Sequence, residues 1–255
     1  MNSIILAAGM GMRLLPNTEN VPKGMVKLFD KSLIERQIDI FKKCGIDDIS
    51  IVTGYLAEKI NFPSINYFKN ENFSTTAGNE SLYCAKQKLN NTIVCYADLV
   101  FDISIIKKMM NFNGDIGIAV KSNWKSNYAG RTLHPLSQAD NVLFNESGKI
   151  IEVRKNIQKS NSNIGEFLGM MRLSDKGSRL FLKRFASSIG RGMLAIWPSH
   201  PSGHGGAISK SSRNCLRVLI TIFLHFLATS GQLYFSRNFS LLSSRVEITS
   251  RTLKS

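Results

Sequence analysis

The stretch Ser3-Ile-Ile-Leu-Ala-Ala-Gly-Met-Gly-Met-Arg-Leu-Leu-Pro16, followed by Val21-Pro-Lys-Gly-Met-Val-Lys27, decides how the chain is read. Ser3 to Ala8 is an apolar run without alternation, the pattern of a strand buried on both faces in a parallel sheet. Gly9 and Gly11 follow at once; glycines permit positive φ and let backbone N–H groups come close to a ligand. Arg13 is a permanent cation whose forked donor face suits phosphate oxygens, and Lys23 adds a second, point-like cation. Pro16 and Pro22 punctuate the loop between them. Strand, glycine loop and two cations make an anion cradle, and a polyphosphate is the anion it suits best.

Outward from this stretch, Leu33 to Lys43 reads as a helix. Ile34, Ile38 and Phe41 recur at helical spacing, Gln37 and Lys42 fall on other faces, and Gly45 is placed to stop it. Asp48 to Thr53 is the next strand, and the strand–helix–strand order predicts a right-handed βαβ unit. Leu56 to Ile60 reads as a short helix, Ile65 to Phe68 as a brief strand, and Asn70 to Asn79 as polar loop. Glu80 to Leu89 is helical with Leu82, Ala85 and Leu89 inward, and Thr92 to Ala97 is an apolar strand ending at Asp98. Further on come a strand at Gly114–Lys121, an irregular stretch from Asn123 to Leu143, and a hairpin from Phe144 to Arg154 turning at Ser147-Gly148. A strand at Phe167–Arg172 and a helix starting at Asp175 follow.

At 255 residues the chain is long enough to bury a sizeable core in one α/β domain. Met1-Asn-Ser runs straight into the strand with no basic n-region or cleavage site, and the four cysteines have no CxxC spacing. Both features suit a reducing cytoplasm better than a disulfide framework. The net charge of +15 is split: from Ala186 to Ser255 eight basic residues face one acidic residue, and the first 185 residues carry the other +8. Anionic substrates account for such a balance without a nucleic-acid partner.

Leu6-Ala-Ala-Gly-x-Gly-x-Arg-Leu-x-Pro16 with Pro22-Lys23 resembles the signature of the nucleotidyltransferases that join a nucleoside triphosphate to a sugar phosphate or an alcohol phosphate. Gly45-Ile-Asp-Asp-Ile-x-Ile-Val-x-Gly-Tyr55 and Asn79-Glu-Ser-Leu-Tyr83 match in their places too. The nearest branch is that of the bacterial phosphocholine and phosphonate cytidylyltransferases, and the likeness runs to about Phe185. The resemblance implies a Rossmann-like, mixed, mostly parallel sheet flanked by helices, of the nucleotide-diphospho-sugar transferase type. It implies transfer of a nucleoside monophosphate, CMP from CTP first, to a small phosphate or phosphonate such as phosphocholine or 2-aminoethylphosphonate. Pyrophosphate is released. Arg13 and Lys23 would be catalytic. Leu6, Ala7, Ala8, Gly9 and Gly11 would hold the nucleotide together with Gly78, Asn79, Glu80 and Ser81. Asp98, at the carboxyl end of a central strand, would carry Mg²⁺. Asp102, before Ile103-Ser-Ile-Ile, reads better as a helix cap. Trp124, Tyr128 and Arg131 would face the acceptor, the aromatics by cation–π attraction and the arginine by pairing with its phosphate. A surface loop with a packed tryptophan is an equal reading of Trp124, and His134 before Pro135 reads as a turn residue.

Two departures stand out. Met12 occupies the place where the family commonly has Ser or Thr, and no late acidic stretch supplies a second metal carboxylate. After Ala186 the only acidic residue is Glu247. The chain is therefore expected to divide into a catalytic domain at 1–185, its C-terminal part missing, and a basic, Ser-rich, poorly ordered tail at 186–255 of frameshifted or fused origin. Within the tail, the 13-residue apolar run Leu216–Ala228 is too short for a bilayer span, which needs about 20. His200 and His204 lack further ligands for zinc. Three rival readings stay open: a sugar-1-phosphate nucleotidylyltransferase, an inactive nucleotide-binding remnant, and an NAD-binding domain. The last is weakened because Arg13 stands one position before the third glycine of G-x-G-x-x-G. The oligomeric state is not legible.

Overall fold

The computed structural model describes residues 1–76, 78–130, 135–159, 163–189 and 246–251. The elements in chain order are β1 (Asn2–Ala7), β2 (Lys27–Leu28), β3 (Lys31–Ser32), α1 (Leu33–Lys43), β4 (Ile49–Thr53) and β5 (Asn66–Lys69). They continue with α2 (Gly78–Cys84), β6 (Thr92–Tyr96), α3 (Ile103–Met110), β7 (Ile116–Lys121), β8 (Asp140–Phe144), β9 (Ile150–Lys155) and β10 (Asn163–Leu173). α4 (Asp175–Ile189) and β11 (Val246–Arg251) complete the series.

The main sheet has the order β11-β7-β10-β6-β1-β4-β5, with β8 and β9 attached through β10. β1 pairs in parallel with both β4 and β6, and β4 with β5. β10 runs antiparallel to β6 and β7, and β11 antiparallel to β7. Five of the seven strands on this path therefore point the same way. β1 is buried along its whole length, as its unbroken apolar run predicts.

Each face of the sheet has its own core. One joins Ile5, Ile51 and Ile93 to Ile34, Ile38 and Phe41 of α1 and Ile106 and Met109 of α3. The other joins Ile4, Val52 and Val94 to Leu82 of α2 and Phe181 and Phe185 of α4. At about 1.5–3 kcal/mol for each large apolar side chain removed from water, these two faces dominate the stability.

α1 has a full capping box: Glu35 N donates to Ser32 Oγ at 3.2 Å, and Ser32 N to Glu35 Oε2 at 3.4 Å. Gly45 follows its end at φ 75°. One expectation for this helix fails. Gln37 does not face outward; it is 1% exposed, because its amide finds partners inside the fold.

The expected helix over Glu80–Leu89 is shorter: α2 ends at Cys84 and a 3₁₀ turn covers Lys86–Lys88. The expected short helix at Leu56–Ile60 is a 3₁₀ turn over Ala57–Lys59. The hairpin near Ser147-Gly148 forms, but its first strand begins earlier, at Asp140. Of the tail, residues 246–251 form a strand beside β7. His200, His204 and the run at Leu216–Ala228 lie outside the described residues. Among the described residues no helix is long and apolar enough to cross a membrane.

Candidate active site

The chain leaves β1, moves through α1 to β4 and β5 on one side, and then returns to place β6 on β1's other side. The crevice between the carboxyl ends of β1 and β6 is thus a topological switch point, where open α/β sheets collect ligands. Two segments meet there: the glycine loop after Ala7 and the turn carrying Asp98.

In the glycine loop only Gly11 uses the left-handed region, at φ 65°. Gly9 does not. A Cβ at Gly9 would meet nothing within 4 Å, so its contribution is open space beside the backbone. Thr18, fully buried, donates from Oγ1 to the Gly11 carbonyl at 2.8 Å and ties the far side of the loop down. Nothing in the local sequence marks Thr18, because its partner is set by the fold of the loop. Arg13 stands in the 3₁₀ turn Met12–Leu14, its side chain outside the described set. Met12 is 60% exposed. Leu6, Ala7 and Ala8 are buried; the Leu6 carbonyl accepts from Ala97 N at 3.0 Å, and that of Ala8 from Tyr55 N at 3.1 Å. Those three residues shape the crevice floor through backbone.

Lys23 lies in a second 3₁₀ turn, Lys23–Met25, and its side chain is 9% exposed. Its Nζ donates to Asp98 Oδ2 across the crevice. The close approach depends on Gly24. A Cβ there would stand 2.6 Å from Ile34 Cδ1 of α1 and 2.7 Å from Ala97 Cβ, distances real side chains do not reach. Asp98 is 20% exposed at its side chain, so its carboxylate reaches both Lys23 and solvent. Asp102 does not join it. Its Oδ1 accepts from Ser104 N at 2.8 Å and caps α3, and that hydrogen bond holds its carboxyl below the ordinary carboxylate range.

The segment after β5 packs beside the crevice. Phe73 Cβ and Ala8 Cβ both crowd the position a Gly54 Cβ would take, at 2.7 and 2.9 Å. Buried Asn70 donates from Nδ2 to Thr76 Oγ1 at 2.9 Å and to Ser81 Oγ at 3.0 Å, which fixes the start of α2. Gly78, Asn79, Glu80 and Ser81 all lie in this first turn. Asn79 is 6% exposed, and its Oδ1 is buried with no hydrogen-bond partner among the described residues. Such an acceptor costs about 1–3 kcal/mol until a donor reaches it.

Trp124 and Tyr128 follow β7, whose carboxyl end is on the same edge of the sheet. They are 3% and 7% exposed. Their rings meet edge to face, centroids 5.7 Å apart, in a small core with Ala139 and Ile164. Trp124 Nε1 donates to the Ile164 carbonyl at 3.1 Å, and the Tyr128 hydroxyl donates to Glu166. Both rings are packed in this small core. Arg131 and His134 lie outside the described residues.

The donor chemistry at Asp98 fits a hard divalent cation that takes most of its ligands from phosphates and water. Magnesium commonly binds through one or two carboxylates in this way. Among the described residues no group of three or more His, Cys, Asp or Glu side chains could cage a metal by itself.

Comparison with known proteins agrees with this geometry. The family model for a MobA-like NTP transferase domain matches residues 3–151. The CTP:phosphoglutamine cytidylyltransferase of Campylobacter jejuni is 30% identical over 186 residues, spanning 68% of this chain and 73% of that protein. The choline-phosphate cytidylyltransferase of Streptococcus pneumoniae is 43% identical over 102 residues, 38% of this chain and 44% of its own length. A solved CTP:phosphocholine cytidylyltransferase from Streptococcus pneumoniae superposes with a TM-score of 0.53 at 25% identity, covering 75% of this chain and 78% of that one.

Proposed function

The chain belongs to the MobA-like NTP transferase family and is a nucleotidyltransferase; from that premise we propose that it transfers CMP from CTP to a small phosphate or phosphonate acceptor. The observation that carries the reading is the Lys23–Asp98 pair at the β1/β6 switch point, beside a glycine loop with open space at Gly9.

In this reading the triphosphate lies along Gly9 and Gly11, with Arg13 and Lys23 against its oxygens. An acceptor phosphate oxygen attacks the α-phosphorus, a new P–O bond forms, the bond to the β-phosphate oxygen breaks, and pyrophosphate leaves. No protein base is required, because the acceptor oxygen is already ionised. Lys23 and Arg13 stabilise the charge that grows on the transferred group and the leaving group. Asp98 would hold Mg²⁺, which when bound neutralises triphosphate oxygens. Lys23 then exchanges Asp98 for phosphate as its anionic partner.

Preference for CTP rests on the cytidylyltransferase relatives and on Asn79. A buried acceptor lacking a donor suits the exocyclic amino group of cytosine and not the carbonyl that uracil presents there. The acceptor side is assigned to the segment after β7, with Trp124 and Tyr128 as its packed scaffold and Arg131 as its phosphate partner. Residues 1–185 are taken as the catalytic domain and 186–255 as a distinct addition. The other two reading frames of the coding DNA beyond codon 185 test its origin.

Pyrophosphate release with each of the four triphosphates against phosphocholine, 2-aminoethylphosphonate and a sugar 1-phosphate tests the function. The reading expects CTP with one of the first two. Turnover confined to UTP with the sugar phosphate would replace it with the sugar-1-phosphate alternative.

A further inference from the structure

Gln37 is the most deeply buried polar side chain of α1, and it points at the turn that presents Asp98. Its Nε2 donates to the Tyr96 carbonyl at 2.9 Å and to the Leu99 carbonyl at 2.8 Å. Carbonyl oxygens only accept, so the group facing them must be the amide NH₂, and both of its protons are used. On the other side, Cys95 Sγ donates to Gln37 Oε1 at 3.7 Å. Burial pushes the Cys95 thiol well above its ordinary pKa, with Asp98's charge adding to the shift, so it stays protonated and able to donate.

Tyr96 to Leu99 is a four-residue turn with Asp98 at its third position. Its own closing bond, Leu99 N to the Tyr96 carbonyl, is long at 3.4 Å. Gln37 braces the two ends of that turn from outside. The same helix contributes Ile34 to the contact that requires Gly24, next to Lys23. One face of α1 therefore sets both partners of the crevice pair.

We propose that Gln37 is a positioning residue for the nucleotidyl transfer: its amide holds the Tyr96–Leu99 turn in the shape that aims the Asp98 carboxylate into the crevice, and thereby sets the affinity for the divalent cation. The residue touches no reacting atom. The inference rests on Asp98 as the cation's carboxylate, and the test separates the two.

The test is Mn²⁺ binding to the full chain, read by electron paramagnetic resonance with a non-hydrolysable CTP analogue present. Gln37→Met keeps the length of the side chain and removes both donors. It is expected to weaken Mn²⁺ binding threefold or more. Affinity for the analogue without metal should stay within twofold, because the glycine loop is untouched. A folded Gln37→Met variant whose Mn²⁺ affinity changes by less than threefold overturns the proposal; a loss of thermal stability alone is what a merely structural amide would give. If the Met variant does not fold, Gln37→Asn, which keeps the amide but shortens its reach, is judged by the same threshold. Asp98→Ala is measured alongside. If it leaves Mn²⁺ affinity unchanged, the assignment of Asp98 fails and this proposal with it. If Asp98→Ala abolishes binding while the Gln37 variant binds normally, the proposal alone fails.

Discussion

Lys23 Nζ and Asp98 Oδ2 are hydrogen-bonded across the β1/β6 crevice although 75 positions separate them in sequence. Only β6 returning beside β1 brings the two together. The pair couples a cation suited to the triphosphate with a carboxylate suited to its metal. Lys23→Ala is expected to lower pyrophosphate release by about 10²–10³, the usual effect of removing a group that stabilises transition-state charge. The circular dichroism spectrum should be retained, since the side chain lines the crevice rather than a core. Turnover within threefold of the native chain would remove Lys23 from the chemistry.

Gly24 is tested by Gly24→Ala. The added methyl meets Ile34 and Ala97, and overpacking of this kind costs about 1–3 kcal/mol. Thermal denaturation should show the lower Tm, and turnover should fall with it, because relieving the clash moves Lys23 away from Asp98. An unchanged Tm would mean that α1 does not set the position of the Lys23 turn.

Asn79 makes a prediction about base choice. Asn79→Ala removes the unpartnered acceptor and should narrow the preference for CTP over UTP by about tenfold, within the 1–3 kcal/mol that a buried, unsatisfied acceptor is worth. Asn79→Asp keeps an acceptor and should keep the preference. The ratio of kcat/KM for the two nucleotides measures both. An equal ratio in all three chains would place base recognition elsewhere.

Asp102 gives a pH signature. Its hydrogen bond from Ser104 lowers the folded pKa below the unfolded value of about 3.9. The linked stability is therefore fully present above about pH 4 and is lost as the pH falls through the folded pKa. Asn caps a helix as well as Asp does but cannot titrate. The Tm advantage of the native chain over Asp102→Asn should shrink between pH 5 and pH 2. A constant gap across that range would contradict the assignment.

Much of the fold was legible because local pattern and final burial coincide. The apolar run at Ser3–Ala8 became the central strand, and the stripe of Ile34, Ile38 and Phe41 became the core face of α1. Gly11, Lys23 and Asp98 were legible because their chemistry is unusual in their context. Gln37 and Thr18 were not. Each is a polar residue whose buried partners, the Tyr96 and Leu99 carbonyls for one and the Gly11 carbonyl for the other, exist only after the chain has closed. Periodicity assigns such side chains to solvent by default. Whether Trp124 and Tyr128 stand open or packed could not be read from the sequence; in the structure their rings close on Ala139 and Ile164.

The central claim is that the glycine loop holds a triphosphate whose cation rests on Asp98. The most direct measurement is the Kd for CTP with and without Mg²⁺, in the native chain and in Asp98→Ala. Magnesium should tighten CTP binding tenfold or more in the native chain and less than twofold in the variant. An equal gain from Mg²⁺ in both chains would contradict the claim.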